Sequence, residues 1–219
     1  MKNSIRAVVF DLDGTLTDTL DDIATAMNRA LKLHGLEPWP VPDYRYLVGN
    51  GARVLASRAV RDRQDLMPAV LRDYQAYYGA HALVKTAPYP GIPELLDALA
   101  ARGLKLFVLS NKPDADTRNV ISHFFPGIPF ALVRGQLEGV PVKPDPAPAL
   151  ALAEEAGLPP AAFAYLGDTS VDMTCAVAAG MRPVGVLWGF RTAEELTKSG
   201  AEILLSVPAD LLTWLDHCV

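Results

Sequence analysis

The run Ile5-Arg6-Ala7-Val8-Val9-Phe10, followed at once by Asp11-Leu12-Asp13-Gly14-Thr15, decides how the rest of the chain is read. Its first half is almost wholly apolar and rich in β-branched residues, the pattern of a strand covered on both faces. Similar runs recur at residues 104–109, 130–133, 163–166, 184–187 and 203–205. Helical segments with recognisable ends lie between them. Pro93 opens one and Gly103 closes it; others span 114–124, 146–157 and 170–180. Thr192-Ala-Glu-Glu195 reads as a capping box for a fifth, ending at Gly200. Alternating strand and helix predict an α/β fold, a doubly wound parallel sheet with helices on both faces.

One interval breaks this rhythm. Residues 17–89 contain no convincing strand but carry amphipathic patterns at 20–33, 52–60 and 67–83, with proline-rich stretches at 37–42 and 88–93. The expected organisation is a core of residues 1–16 and 90–219, with a small helical domain of residues 17–89 inserted after the first strand.

Composition narrows the class. Of 219 residues, 50% are hydrophobic and 21% charged, as in a soluble globular protein with a substantial core. A net charge of −5 and the lack of a basic stretch argue against a nucleic-acid partner. Cys175 and Cys218 form no C-x-x-C pair and read as small half-buried residues, which favours a reducing compartment. The four histidines show no metal-ligand spacing. The N-terminal apolar run is too short for a signal peptide, and no run approaches the roughly 20 residues of a membrane helix. A cytoplasmic protein is expected.

In open parallel sheets, ligands bind beyond the carboxyl ends of the strands. The residues that follow the first four strands are therefore the candidates. They are Asp11 to Thr15; Ser110-Asn111-Lys112; Lys143-Pro144-Asp145-Pro146 on a later loop; and Gly167-Asp168-Thr169-Ser170-Val171-Asp172. Asp11, Asp13, Asp168 and Asp172 in one crevice would repel one another. A bound cation resolves that conflict, and an all-oxygen ligand set suits Mg²⁺. A metal with Lys143, Ser110 and Asn111 makes a socket for a phosphoryl group, whose transfer needs chiefly positioning and charge neutralisation. A carboxylate beside such a socket can serve as nucleophile.

These residues give the chain its resemblance to the haloacid-dehalogenase superfamily of phosphohydrolases, within it the phosphoglycolate-phosphatase-like group. Asp11-Leu12-Asp13-Gly14-Thr15, Ser110, Lys143 and Gly167-Asp168 through Asp172 match its four motifs in order, across nearly the whole chain. The resemblance implies a magnesium-dependent phosphatase on that family's Rossmann-like core. Asp11 would attack phosphorus, and Asp13 would protonate the leaving oxygen and then deprotonate water. Asp11, the Asp13 carbonyl and Asp168 would hold Mg²⁺, with Asp172 nearby. Thr15, Ser110, Asn111 and Lys143 would contact substrate. Residues 17–89 match the family's helical cap; Asn50, in Gly49-Asn50-Gly51, resembles its leaving-group loop, and Arg45 and Arg53 are candidates for a substrate carboxylate. The carboxylate at Asp13 is typically missing in dehalogenating and phosphonate-cleaving members. The implied partner is a small phosphorylated metabolite, with no membrane or nucleic acid, and the protein a monomer or homodimer.

Each motif also has a plain reading. Asp13-Gly14 alone is a turn signal, Ser110 alone a loop cap, and Lys143 alone a solvated surface lysine. Asp172 suits a helix's first turn without any function, and Arg45 and Arg53 could be ordinary surface charges. An EF-hand fails on the position of Gly14, and no Walker A or G-x-S-x-G sequence is present. Two further readings stand beside the phosphatase: a phosphosugar mutase, and a non-catalytic binding protein on the same fold.

Overall fold

The computed structural model describes residues 4–217; Cys218 lies outside them. Strand β1 (Ala7–Phe10) is wholly buried. Val8 and Phe10 face one apolar cluster while Ala7 and Val9 face another. That two-sided burial is why its sequence shows no alternation. Burying each large side chain stabilises the fold by about 1.5–3 kcal/mol.

Next to β1 lie β4 (Lys105–Pro113) on one side and β6 (Phe163–Gly167) on the other, both parallel to it. Beyond β4 comes β5 (Phe130–Gln136), and beyond β6 come β7 (Arg182–Val186) and β8 (Ile203–Leu205). The order β5-β4-β1-β6-β7-β8 is a six-stranded parallel sheet. The chain leaves β1 in one direction for β4 and later returns to β6 on the other side. The carboxyl end of β1 is therefore a topological switch point, where diverging loops open a crevice.

Flanking helices run at Ile92–Ala101 (α5), Asp114–Phe124 (α6), Ala147–Ala156 (α7), Ser170–Ala179 (α8) and Ala193–Lys198 (α9). A further helix, α10 (Asp210–Asp216), was not expected; Leu211 and Leu215 pack it onto the core. The predicted capping box on α9 forms by half. Thr192 accepts from the Glu195 amide, but the Glu195 carboxylate accepts from Ser170 instead. Reciprocal bonding of that kind occurs at α8, between Thr169 and Asp172. Cys175 is fully buried, and burial pushes its thiol up to about 12. Among the described residues no helix is long and apolar enough to cross a membrane.

Between β1 and α5 the chain builds α1 (Leu20–Leu33), α2 (Tyr44–Leu47), α3 (Ala52–Ala59) and α4 (Met67–His81), which share a hydrophobic cluster of their own. Ile23, Met27, Ala30 and Leu31 form its buried stripe on α1, at helical spacing. The chain enters and leaves this unit through a pair of two-residue strands, β2 (Thr17–Asp18) and β3 (Ala87–Pro88), paired antiparallel. The sequence reading missed this ribbon, because two-residue strands show no periodicity.

Asp22 fastens the same neck from inside. Its buried carboxylate accepts from Lys85 N at 2.9 Å, Thr86 N at 2.8 Å and Thr86 Oγ1 at 2.9 Å. Replacing Asp22 by Ala should cost about 2–3 kcal/mol, since several donors then lose a charged acceptor. Urea denaturation of the two proteins measures the difference, and a change under about 0.5 kcal/mol would show that the neck does not need it.

Candidate active site

Asp11 directly continues β1, its amide bonded to Leu166 O at 2.9 Å, so its side chain leaves from the centre of the sheet edge. The next turn folds back, Gly14 N donating to Thr17 O at 2.8 Å. Gly14 has φ +86°, and a Cβ there would run into the Asp168 carboxylate; only glycine meets both demands. Asp168 follows β6 in the same way, and Asp172 sits in the first turn of α8.

The structure brings Asp11, Asp168 and Asp172 together, with one oxygen of each within 4.8 Å of the others, all buried. Lys143 stands among them. Its ammonium is 2.9 Å from Asp11 and 2.7 Å from Asp172, and it donates to Leu109 O at 2.9 Å. Only 2% of its side chain is exposed. Burial works against the ammonium, yet the charges of Asp11 and Asp172 hold its pKa well above the ordinary value. Lys143 alone does not balance the cluster. Burial and the charge of Asp172 push Asp11 up to about 7, against the pull of Lys143. Burial with Asp172 and Asp11 raises Asp168 too. Three buried carboxylates facing one ammonium, all oxygen donors, fit a hard divalent cation.

The other expected residues are placed as follows. Ser110 and Asn111 sit in the last part of β4 and line a cleft above the cluster. The Asn111 amide pairs with the Lys143 backbone in both directions at 2.9 Å, and its nitrogen also donates to Gly49 O at 3.1 Å. Both its hydrogens are thus used, one on the Lys143 backbone and one on the loop before α3. Thr15 donates from Oγ1 to Asp168 at 3.2 Å and does not line the cleft. Arg45 and Arg53 are exposed, and neither lines it. Gly49 and Gly51 do, but the Asn50 side chain accepts from Arg58 at 2.9 Å. Asp13 lines the cleft near Asp11 and carries a partner that the sequence reading did not assign. Lys112 Nζ lies 2.8 and 2.9 Å from its two oxygens.

A second group was also missed. The loop after β7 places Phe190 N 2.8 Å from Asp168, Trp188 Nε1 3.0 Å from Thr15 O, and an Arg191 amino group 3.1 Å from Val48 O, just after α2. The signal was available, since these residues lie beyond the carboxyl end of the strand-like run at 184–187. The cleft lies between the sheet edge and the inserted helices. Its floor is polar, while Ile23, Val48, Leu55, Tyr74 and Tyr78 form much of its roof.

Comparison with known proteins places these features in a family. The model of the haloacid dehalogenase-like hydrolases matches residues 8–186. A phosphoglycolate phosphatase of Aquifex aeolicus is 32% identical over 213 residues, 97% of this chain and 98% of the relative. One from Cereibacter sphaeroides is 37% identical over 197 residues, 85% of this chain and 87% of the relative. A crystal structure from Lactobacillus delbrueckii subsp. bulgaricus, 29% identical, superposes with a TM-score of 0.91 over 97% of this chain and 98% of its own.

The raised carboxylates give a signed expectation. A carboxyl whose folded pKa lies above its unfolded value stabilises the fold fully below the unfolded pKa, and that contribution is lost as pH rises through the folded one. For Asp11 the loss runs from about 4 to about 7. Without metal, the protein should therefore lose stability across that window. Magnesium, which needs the ionised form, should restore it most above pH 7, by about 2.7 kcal/mol at a hundredfold excess over Kd. Thermal melts with EDTA or MgCl₂ from pH 5 to 8 test this; a magnesium effect independent of pH would sink the assignment of these acids as ligands.

Proposed function

We propose that this chain, which belongs to the haloacid dehalogenase-like hydrolases and is a phosphatase, hydrolyses a small phosphomonoester through a phosphorylated Asp11, with a phosphoglycolate-like acid as the favoured substrate. The observation that carries the reading is the placement of Lys143 between Asp11 and Asp172, with Asp168 completing the acid cluster at the floor of a capped cleft. The substrate preference follows the names of the curated relatives.

Asp11 Oδ1 is fixed by the Leu12 amide at 2.7 Å and by Lys143 at 2.9 Å. Both contacts hold the same oxygen, which leaves the other, Oδ2, to act as nucleophile. In the first step that oxygen bonds to phosphorus, the ester P–O bond breaks, and Asp13 gives the leaving oxygen its proton. In the second, Asp13 takes a proton from water, which attacks phosphorus and releases phosphate and free Asp11. Ser110 would meet a phosphoryl oxygen, and Lys143 would offset charge on the transferring group. Asp11, Asp168 and the Asp13 carbonyl would hold Mg²⁺, with Asp172 adjacent; the ion supplies charge neutralisation at the phosphoryl oxygens. Residues 17–89 act as the cap, whose apolar roof keeps bulk water from the phosphoenzyme.

Asp11→Asn should lower p-nitrophenyl phosphate turnover by about three orders of magnitude or more, and EDTA should lower that of the wild type. Asp13→Asn should slow turnover by about 100- to 10,000-fold and let phosphorylated Asp11 accumulate, visible as a mass increase on the peptide. Equal rates for wild type and Asp11→Asn would defeat the mechanism. A sugar phosphate isomerised with no phosphate released would instead favour a mutase.

A further inference from the structure

We propose that Lys112 is a specificity-determining residue, its ammonium binding the carboxylate of the leaving alcohol; this rests on the reading of the cleft as a phosphomonoester site. Lys112 stands where the sheet edge meets the cap. Its side chain is only 4% exposed, and its ammonium lies 4.7 Å from the ring centre of Tyr78 on α4. Both oxygens of Asp13 are within 2.9 Å of it.

Two features give this ammonium a role beyond holding Asp13. The first is charge. The described residues that line the cleft include three carboxylates, Asp11, Asp13 and Asp116, and one cation, Lys112. Arg45 and Arg53, the cap cations that the sequence suggested, lie outside it. Among the described residues that line the cleft, Lys112 is thus the one side chain that offers a negatively charged leaving group a counter-charge. The second is geometry. When Asp13 turns an oxygen toward the leaving oxygen, it frees one of the three donors on Lys112. In a two-carbon acid ester a single methylene separates that oxygen from the carboxylate. The carboxylate therefore falls beside the group that was bonded to Asp13. Tyr78 covers the same point and excludes water, so the charged hydrogen bond formed there is strong.

The test compares 2-phosphoglycolate with 2-hydroxyethyl phosphate, an ester of the same length without the second charge. With MgCl₂ present, the wild type should favour the acid in kcat/KM by roughly tenfold or more. Lys112→Met should reduce that ratio by roughly 10- to 100-fold, mainly through KM for the acid. The ratio does not depend on the fraction of active protein. Equal proportional losses on both esters would show that Lys112 only positions Asp13, and would overturn the proposal. So would a wild type that turns over both esters equally well, a result that stands even if the variant does not fold. A wild type inactive on both esters and on p-nitrophenyl phosphate would defeat the phosphomonoester reading itself, and this assignment with it.

Discussion

Lys143 sits 2.9 Å from Asp11 and 2.7 Å from Asp172, buried at the floor of the cleft with Asp168 beside them. Two unit charges 4 Å apart interact by about 4 kcal/mol at an effective dielectric of 20. Removing this one ammonium would therefore take from three mutually repelling acids the cation bonded to two of them. Its position is not left to a flexible stem. The Asn111 amide grips the Lys143 backbone on both sides, much as a neighbouring strand would, and Leu109 O holds the ammonium from below.

The fold makes this crowding possible through the order of its strands. Because β1 lies between β4 and β6, the residues beyond all three converge within side-chain reach at the switch point. Close approach also requires small residues. Side chains at Gly14 and Gly189 would collide with Asp168, and one at Gly167 would collide with Asp172. The glycines are thus part of the electrostatic design, since they set how near the acids can come.

Floor and roof of the cleft differ in kind. The core contributes charge, the inserted helices mostly apolar surface, and the loop after β7 ties the two together. Phe190 is the clearest link. Its amide bonds to Asp168 while its ring is buried in the hydrophobic cluster of the inserted helices. A shift of those helices would bear directly on the partner of a candidate metal ligand.

The parallel sheet, the helices between β1 and α5 and the acids at the strand ends are legible in the residue order. Buried strands and amphipathic helices leave strong local patterns, and residues next to strand ends are placed by the backbone alone. Which groups pair is a matter of the folded chain. Asn111 has its amide turned to Lys143 and Gly49, Thr15 to Asp168, and Lys112 to Asp13, pairings set by contacts between distant segments. The folded chain also leaves Arg45 and Arg53 facing solvent, and forms the β2–β3 neck with Asp22 within it. These features follow from which side chains meet across 32 to 153 residues of chain, and no local pattern carries that information.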